Sequence, residues 1–465
     1  MGWKYKLPLF ILFVALGFGY FMRTILNPEL ITEPPSDIED GVGWWGRGLP
    51  EVSGSKQDTS VRKFRVNVSD DVLGDLKTRL QNTRFVDRVE DAGFHYGFDS
   101  DYMKQVQRYW LERYSWRDAE KRLNQFDQFL TNIEGIDVHF LHVKPKLQPG
   151  QKAKPLIVVH GWPGSIYEFH KILPMLTDPT SHGGSSDDVF EVICPSIPGY
   201  GFSEAPHKQG FAAYAAARIF NKLMLRLGFK QYYTQGGDWG SVITLNMAIM
   251  YPSNVKGYHA NMAAQSGPKS FLYPFLGQYL PSIFLPDPRD QERLLPFTDR
   301  IVDLLLETGY MHIQSTKPQT AGQGVNDSPI GLAAYILEKF STWTNPEWRS
   351  LPDGGLTKAY TLDDLLTNVM IYWVNGNIAS SMRLYKEEIG GNSRDYQAKH
   401  ANQVPTGFAS FPEELFFSTE TVLRHFNPNL VSFTYVPRGG HFAAFQEPQL
   451  LVDDIRQFIR KVEAL

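Results

Sequence analysis

The sequence predicts an α/β fold, a doubly wound sheet of mostly parallel strands. Three observations carry that reading. Leu156-Ile157-Val158-Val159 is an unbroken apolar run, the pattern of a parallel strand covered on both faces. It runs into a Gly/Pro turn, His160-Gly161-Trp162-Pro163-Gly164-Ser165, and the order of strand, loop and helix then recurs through residues 190–194, 214–227, 232–234 and 242–247. Near the C-terminus a last strand over 431–436 precedes a helix over 450–462. Folds of this kind collect their functional residues at the C-terminal ends of the strands.

The elements before that core are of a different kind. Residues 7–22 carry no charge and are flanked by Lys4, Lys6 and Arg23. Sixteen helical residues span about 24 Å, close to the hydrocarbon core of a bilayer, and the flanking cations can snorkel. A cleaved signal peptide is the rival, with Gly17-Phe18-Gly19 as its cleavage site, but the aromatic run continues past that point through Tyr20, Phe21 and Met22. The expectation is a retained anchor over 1–26, and the chain has no second long apolar run. Glu33-Pro34-Pro35-Ser36-Asp37 reads as a linker, followed by the turn Gly43-Trp44-Trp45-Gly46. Ser69 is a candidate N-cap for a helix with Val72, Leu73, Leu76 and Leu80 on one face. A helix over 101–113 and strands over 128–133 and 137–143 complete an accessory region, 27–150. His139 and His142 stand three residues apart on the second strand, which directs them to opposite faces and disfavours a shared metal.

With 465 residues the chain can hold a large core and accessory elements. A net charge of −4 gives no electrostatic reason to expect nucleic acid. The single cysteine, Cys194, lies in an apolar strand run, so no intrachain disulfide is possible. There is no Gly-rich phosphate loop or dinucleotide fingerprint, and the reading assigns no cofactor and no metal.

The chemistry centres on Gln235-Gly236-Gly237-Asp238-Trp239-Gly240-Ser241, between a strand and a helix. A small-x-nucleophile-x-small turn in that position is a nucleophile elbow, ordinarily built on serine. Here Asp238 takes the serine's place. A carboxylate needs no base to become a nucleophile and suits attack on saturated carbon, which leaves an ester for water to hydrolyse. The leaving group then comes from an epoxide or a haloalkane, whereas amides and ordinary esters are poor substrates. The partners should follow in the order acid, then histidine. His441 sits on the loop Arg438-Gly439-Gly440-His441 after the last strand, and Glu413 and Glu414 both stand on the preceding strand's loop as candidate acids. His160 reads as a structural loop residue.

The stretches HGWPGS, ICPSIPGYGFSEA, QGGDWGS, GYMHIQSTKP, NDSPIGLAAYILEKFSTWTN, VPTGFASFP and RGGHFAAFQEP together resemble the microsomal epoxide hydrolase family, whose insect members are juvenile hormone epoxide hydrolases. The resemblance runs along nearly the whole chain. It implies an α/β-hydrolase fold with a membrane anchor, an N-terminal collar, a core in two parts (151–264 and 403–465) and a helical cap over 265–402. It selects Glu414 as the partner of His441, although the family carries an apolar residue where Glu413 stands. It selects Tyr310 and Tyr385 as proton donors to the epoxide oxygen, a choice the residue pattern alone does not make among 22 tyrosines; Tyr372 is the competitor, in a run that reads as packed. Trp162 and Trp239 are expected to supply backbone N–H groups to an oxyanion hole.

The implied reaction converts a lipophilic epoxide, of terpenoid hormone or xenobiotic type, to a vicinal diol. Asp238 forms the ester, and water activated by His441 hydrolyses it. Haloalkane dehalogenase is a rival, disfavoured because Trp162 follows His-Gly where that class commonly has Asn. A catalytically silent carrier of lipophiles and an ester hydrolase are weaker rivals, given the intact Asp238, Glu414 and His441. The expected setting is the endoplasmic reticulum membrane, single-pass, with the catalytic domain in the cytosol; no oligomeric state is assigned. Asn67-Val68-Ser69 and Asn326-Asp327-Ser328 are glycosylation sequons that would report lumenal exposure.

Overall fold

The computed structural model describes residues 29–38, 43–48, 58–265, 267–391 and 393–465. The uncharged run 7–22 and the anchor expected there lie outside the described residues. Among the described residues no helix is long and apolar enough to cross a membrane.

The strands are β1 (Arg62–Phe64), β2 (Gln128–Ile133), β3 (Ile136–Val143), β4 (Lys154–Val159), β5 (Phe190–Pro195), β6 (Tyr232–Gly236), β7 (Val255–Ala260), β8 (Thr406–Ser410) and β9 (Leu430–Tyr435). They form one sheet in the order β1-β2-β3-β5-β4-β6-β7-β8-β9. β1, β2 and β3 are an antiparallel meander that joins β5 antiparallel, and from β5 to β9 every pairing is parallel. The apolar run at 156–159 is the buried centre of β4.

Helices cover both faces. On β7 the side chains alternate: Tyr258 donates its hydroxyl to Ser241 O on the helix Trp239–Met250, while Gly257 leaves room for Phe458 of the helix Pro448–Glu463. Gly407 on the adjacent β8 makes room for the same ring, since a Cβ there would lie 2.5 Å from it. Between the end of β7 and the start of β8 the chain leaves the sheet for a run of helices from Pro268–Gly277 to Tyr396–Lys399.

The accessory region is fastened to the core by a buried charge cluster. Glu134 accepts both nitrogens of a bidentate Arg218 at 2.7 and 2.8 Å, Lys222 at 2.9 Å and the Trp45 indole N–H at 2.9 Å. The Trp-Trp turn is therefore an anchor for the collar, and Glu134 owes its charged state to these partners: burial raises its pKa, but Arg218 and Lys222 outweigh that and lower it.

One local expectation needs correction. Ser69 occupies the N-cap position of the helix Asp70–Gln81, but its side chain makes no cap hydrogen bond. Arg117 holds that turn instead, donating to Val68 O at 2.8 Å and pairing with Asp70. The Gly/Pro turn of the HGWPGS loop leads into a single 3-10 turn, Ile166–Phe169, and then a short helix, Ile172–Thr177. Tertiary contacts fix that turn: Tyr167 donates to Asp364 Oδ1 at 2.6 Å, and Ser165 accepts from Tyr167 N–H. His139 sits between Ser196 and Gln128, and His142 pairs with Glu191.

Candidate active site

β6 ends at Gly236 and the helix Trp239–Met250 begins three residues later, so the chain reverses within Gly237 and Asp238. Asp238 takes φ +49°, which a residue with a side chain holds only when its surroundings compel it. The small neighbours are required by contact. A Cβ on Gly236 would lie 2.3 Å from the Gly240 backbone, and one on Gly240 would lie 1.9 Å from Val159 O. The turn thus projects the Asp238 carboxylate beyond the sheet, at the N-terminal end of a helix whose dipole favours negative charge.

The HGWPGS loop closes over one side of that carboxylate. Trp162 N–H donates to Asp238 Oδ1 at 2.7 Å. Gly161 must be glycine for this approach, since a Cβ would lie 2.2 Å from the same oxygen. Among the described residues Trp239 N–H makes no hydrogen bond to the carboxylate; its indole instead meets the Tyr385 ring edge-on at 4.7 Å. His160 supports the loop from below, donating to Gly161 O at 3.0 Å and accepting from Ile197 N–H at 3.2 Å. Burial lowers its pKa to about 4, which keeps it neutral.

His441 arrives on the other side. Its Nε2 is 3.4 Å from Asp238 Oδ2, and its Nδ1 meets both Glu414 oxygens at 2.9 and 3.0 Å. Gly440 lets the loop press against the helix Pro329–Thr342, where His441 N–H donates to Trp343 O at 3.0 Å. Glu414 also accepts Phe416 N–H at 3.1 Å. Glu413 makes no contact with the histidine and faces a separate polar cavity that contains Arg293 and Arg300. Burial alone would push His441 down, but Glu414 and Asp238 raise it to about 10, so the resting imidazole carries a proton at neutral pH.

The cap brings Tyr310, on the helix Gly309–Thr316, and Tyr385, on the helix Ile378–Glu388, over the elbow. Tyr310 stacks on Trp162 at 5.1 Å with the rings 5° apart, and the two tyrosine rings meet edge-on at 5.8 Å. The Tyr385 hydroxyl is buried, and its partner is the Tyr310 hydroxyl. Burial, with the Asp238 charge nearby, raises both pKa values well above the usual tyrosine range, so both hydroxyls keep their protons. Tyr372 is packed away, donating to Gly164 O at 2.7 Å.

Asp238, Tyr310 and Tyr385 line a tunnel of about 420 Å³ whose other walls are largely apolar, among them Val242, Met262, Pro274, Ile301, Leu304 and Phe416. Such a space takes a lipophilic molecule, and besides the carboxylate and two hydroxyls its polar lining is Gln265, Ser270, Arg300, Glu388 and Gln397. Among the described residues no group of three His, Cys, Asp or Glu side chains could hold a metal ion. Sequence reading missed one acid: Glu168, on the 3-10 turn, lines a small chamber with Asp238 and His441. An acid inside the otherwise apolar Ile166-Tyr167-Glu168-Phe169 was the available signal.

An α/β-hydrolase with aspartate at its elbow and two tyrosines above it is built to open a strained ring. Residues 61–169 match the family described as epoxide hydrolase N terminus, and residues 154–381 match the alpha/beta hydrolase fold. The chain is 53% identical to epoxide hydrolase 1 of Sus scrofa over 428 residues, covering 91% of this chain and 93% of the relative. It is 40% identical to the juvenile hormone epoxide hydrolase of Bombyx mori over 461 residues, covering 98% of each. The crystal structure of the silkworm enzyme superposes with a TM-score of 0.85 at 42% identity, covering 91% of this chain and 98% of that one. The chain belongs to the epoxide hydrolase family, and its reaction is the hydration of an epoxide to a diol.

Proposed function

We propose that this enzyme works through a covalent Asp238 ester, with the site residues in fixed roles. Asp238 Oδ attacks an epoxide carbon, the C–O bond breaks, and Tyr310 or Tyr385 protonates the departing oxygen, leaving a hydroxy-ester and a tyrosinate. The ester no longer carries the charge that helped hold a proton on His441, so the imidazolium returns that proton to the tyrosinate. Neutral His441, oriented by Glu414, then takes a proton from water as the water oxygen adds to the ester carbonyl. Trp162 N–H faces the oxygen on which charge develops. Collapse releases the diol and restores the carboxylate and the imidazolium, so protons balance over the cycle. The observation that carries this is the placement of one carboxylate oxygen on Trp162 N–H and the other toward His441, with the tyrosines across the tunnel. In multiple turnovers ¹⁸O from labelled water should enter the Asp238 carboxylate; label found only in diol after a single turnover would exclude the ester.

The substrate is a lipophilic epoxide, and a terpenoid epoxide of juvenile-hormone type is the first to test, supported by the apolar tunnel and by the names of the relatives. Comparison of kcat/KM for that epoxide, styrene oxide and a fatty-acid epoxide ranks the classes.

A membrane setting, with the anchor at 1–26 and the catalytic domain on the cytosolic face of the endoplasmic reticulum, is part of the same proposal. Two features support it besides the uncharged run. Nine of the eighteen large apolar side chains exposed among the described residues fall within 271–313, including Phe271 at 59%, Ile283 at 66%, Leu305 at 71% and Leu306 at 70%. Patches of this kind mark surfaces that meet something apolar. Phe271 also lines the tunnel, so this exposed apolar segment borders it. In addition, the chain after the run enters the fold beside the tunnel: Ile31 pairs with the backbone of Lys399 and Ala401, near Gln397 of the tunnel wall. A fluorophore on Leu305→Cys in the full chain should be quenched by doxyl-lipid vesicles, and one on Leu147→Cys should not; equal responses would refute the docking. Resistance of Asn67 and Asn326 to glycosylation in microsomes tests the cytosolic orientation.

A further inference from the structure

Two cavities meet at Asp238. The tunnel is one; the other is a chamber of about 20 Å³ enclosed by Val159, Gly161, Trp162, Glu168, Gln235 and His441, among others. One water needs roughly 10–15 Å³ by the same measure, together with two to four polar partners. The chamber offers them. Gln235 donates its Nε2 to Asn261 Oδ1 at 2.8 Å, which leaves its Oε1 buried without a partner. The Glu168 carboxylate, faced by Gly161 N–H, shares the chamber with His441 and the Asp238 carboxylate.

We infer that this chamber is the seat of the hydrolytic water, and that Glu168 is its positioning residue. The inference rests on the ester mechanism proposed above. A water placed there lies on the face of Asp238 away from the tunnel, next to the imidazole nitrogen that must take its proton. One O–H points to His441 Nε2 and the other to Glu168 or Gln235 Oε1, which turns a lone pair toward the ester carbonyl carbon. Positioning of this kind converts a mobile water into an aligned nucleophile.

Charge in the chamber follows the reaction. Burial raises Glu168, His441 opposes and the Asp238 charge adds a smaller rise, which together bring it to about 8. In the resting enzyme, therefore, Glu168 is mostly protonated at neutral pH and adds no second anion beside the nucleophile. Esterification neutralises Asp238 while His441 gives up its proton, so both charges leave the chamber together, and Glu168 acts on the water through its position, as an acceptor oxygen. The groups that face it are Asp238, His441, Gln235 and Gly161 N–H, with the neutral Tyr360, Tyr372 and Cys194 also within electrostatic reach.

The 3-10 turn is held so that the carboxylate cannot drift. Ser165 donates to Asn368 Oδ1 at 2.8 Å, Asn368 donates to Pro163 O at 2.8 Å, and Tyr167 donates to Asp364. Three anchors on one cap helix, Leu362–Asn375, thus set the position of a residue on the core side.

The test separates the half-reactions. In this mechanism kcat/KM reports ester formation, and kcat reports ester hydrolysis when that step is slower. Glu168→Gln should lower kcat about 10–100-fold, lower KM in parallel, leave kcat/KM within about two-fold, and cause the Asp238 ester to accumulate in intact-mass spectra. Glu168→Asp should recover part of the loss, and either variant can carry the test if the other folds poorly. Normal ester formation and normal hydrolysis in the folded variants would overturn the assignment, as would a fall in kcat/KM equal to the fall in kcat. If no Asp238 ester forms in the wild-type chain, the failure lies with the ester mechanism and not with Glu168 alone.

Discussion

The two cavities on either side of Asp238 are opposites. The tunnel holds about 420 Å³, is walled by cap and core together and presents mostly carbon. The chamber holds about 20 Å³, lies within the core loops and presents a carboxyl, an amide oxygen and an imidazole. The first admits a large apolar electrophile; the second admits a small polar nucleophile. On the scheme inferred above, that division gives the epoxide and the hydrolytic water separate places against the same carboxylate.

That contrast can be broken from either side, and the largest effect belongs to the residue both sides share. Asp238→Ala should remove turnover, by roughly 10⁴–10⁶-fold as for other covalent nucleophiles, while epoxide binding measured by displacement of a fluorescent ligand persists. Next come losses confined to one side. His441→Gln should leave ester formation measurable and slow ester hydrolysis about 10²–10⁴-fold, with the adduct visible by mass. The Tyr310→Phe/Tyr385→Phe pair should do the reverse: each single change slows ester formation, by at most about 10²–10⁴-fold, and together they should abolish nearly all of it. Wild-type alkylation in the double variant would remove the tyrosines from the proposed scheme.

A pH profile sharpens the comparison further. With His441 raised to about 10 and both tyrosines above their usual range, the groups that form the ester keep one protonation state, so kcat/KM should be flat across the neutral range. In the ester the Asp238 charge is absent, so kcat should instead rise with pH through an inflection well below 10. The same raised histidine stabilises the fold fully below about pH 6.5 and loses that contribution as pH rises through about 10, so Tm should decline over that interval. The smallest effect separates the two glutamates: Glu414→Gln should slow hydrolysis about 10–100-fold, while Glu413→Gln, on the polar cavity, should change kcat less than about three-fold.

The sheet was readable where strands are largely apolar runs, unbroken at 156–159 and interrupted only by Glu191 at 190–194. β7 was not, because Val255-Lys256-Gly257-Tyr258-His259-Ala260 mixes a glycine, a lysine and a histidine, and only its neighbours explain them: Gly257 seats Phe458, and His259 Nε2 meets Asp454 at 2.9 Å. At the site, the elbow and the Gly-Gly-His loop follow a local backbone requirement, so their residue types announce them. Tyr310, Tyr385 and the choice between Glu413 and Glu414 came from resemblance, since a tyrosine aimed at a distant carboxylate looks in sequence like any packed tyrosine. Glu168 escaped both routes: its one local signal, an acid among the apolar Ile166, Tyr167 and Phe169, does not say whether that acid faces a one-water chamber or solvent.

One feature of β5 bears on the hazard of the chemistry. An epoxide that reacts with a carboxylate can also alkylate a thiolate, and thiolate is much the stronger nucleophile. The chain has one cysteine, Cys194, fully buried in the sheet, and burial raises its pKa so that it remains a thiol. An enzyme that gathers electrophiles thus offers them no thiolate, and the sulfur within reach is the weaker thioether nucleophile of Met262 and Met311 on the tunnel wall.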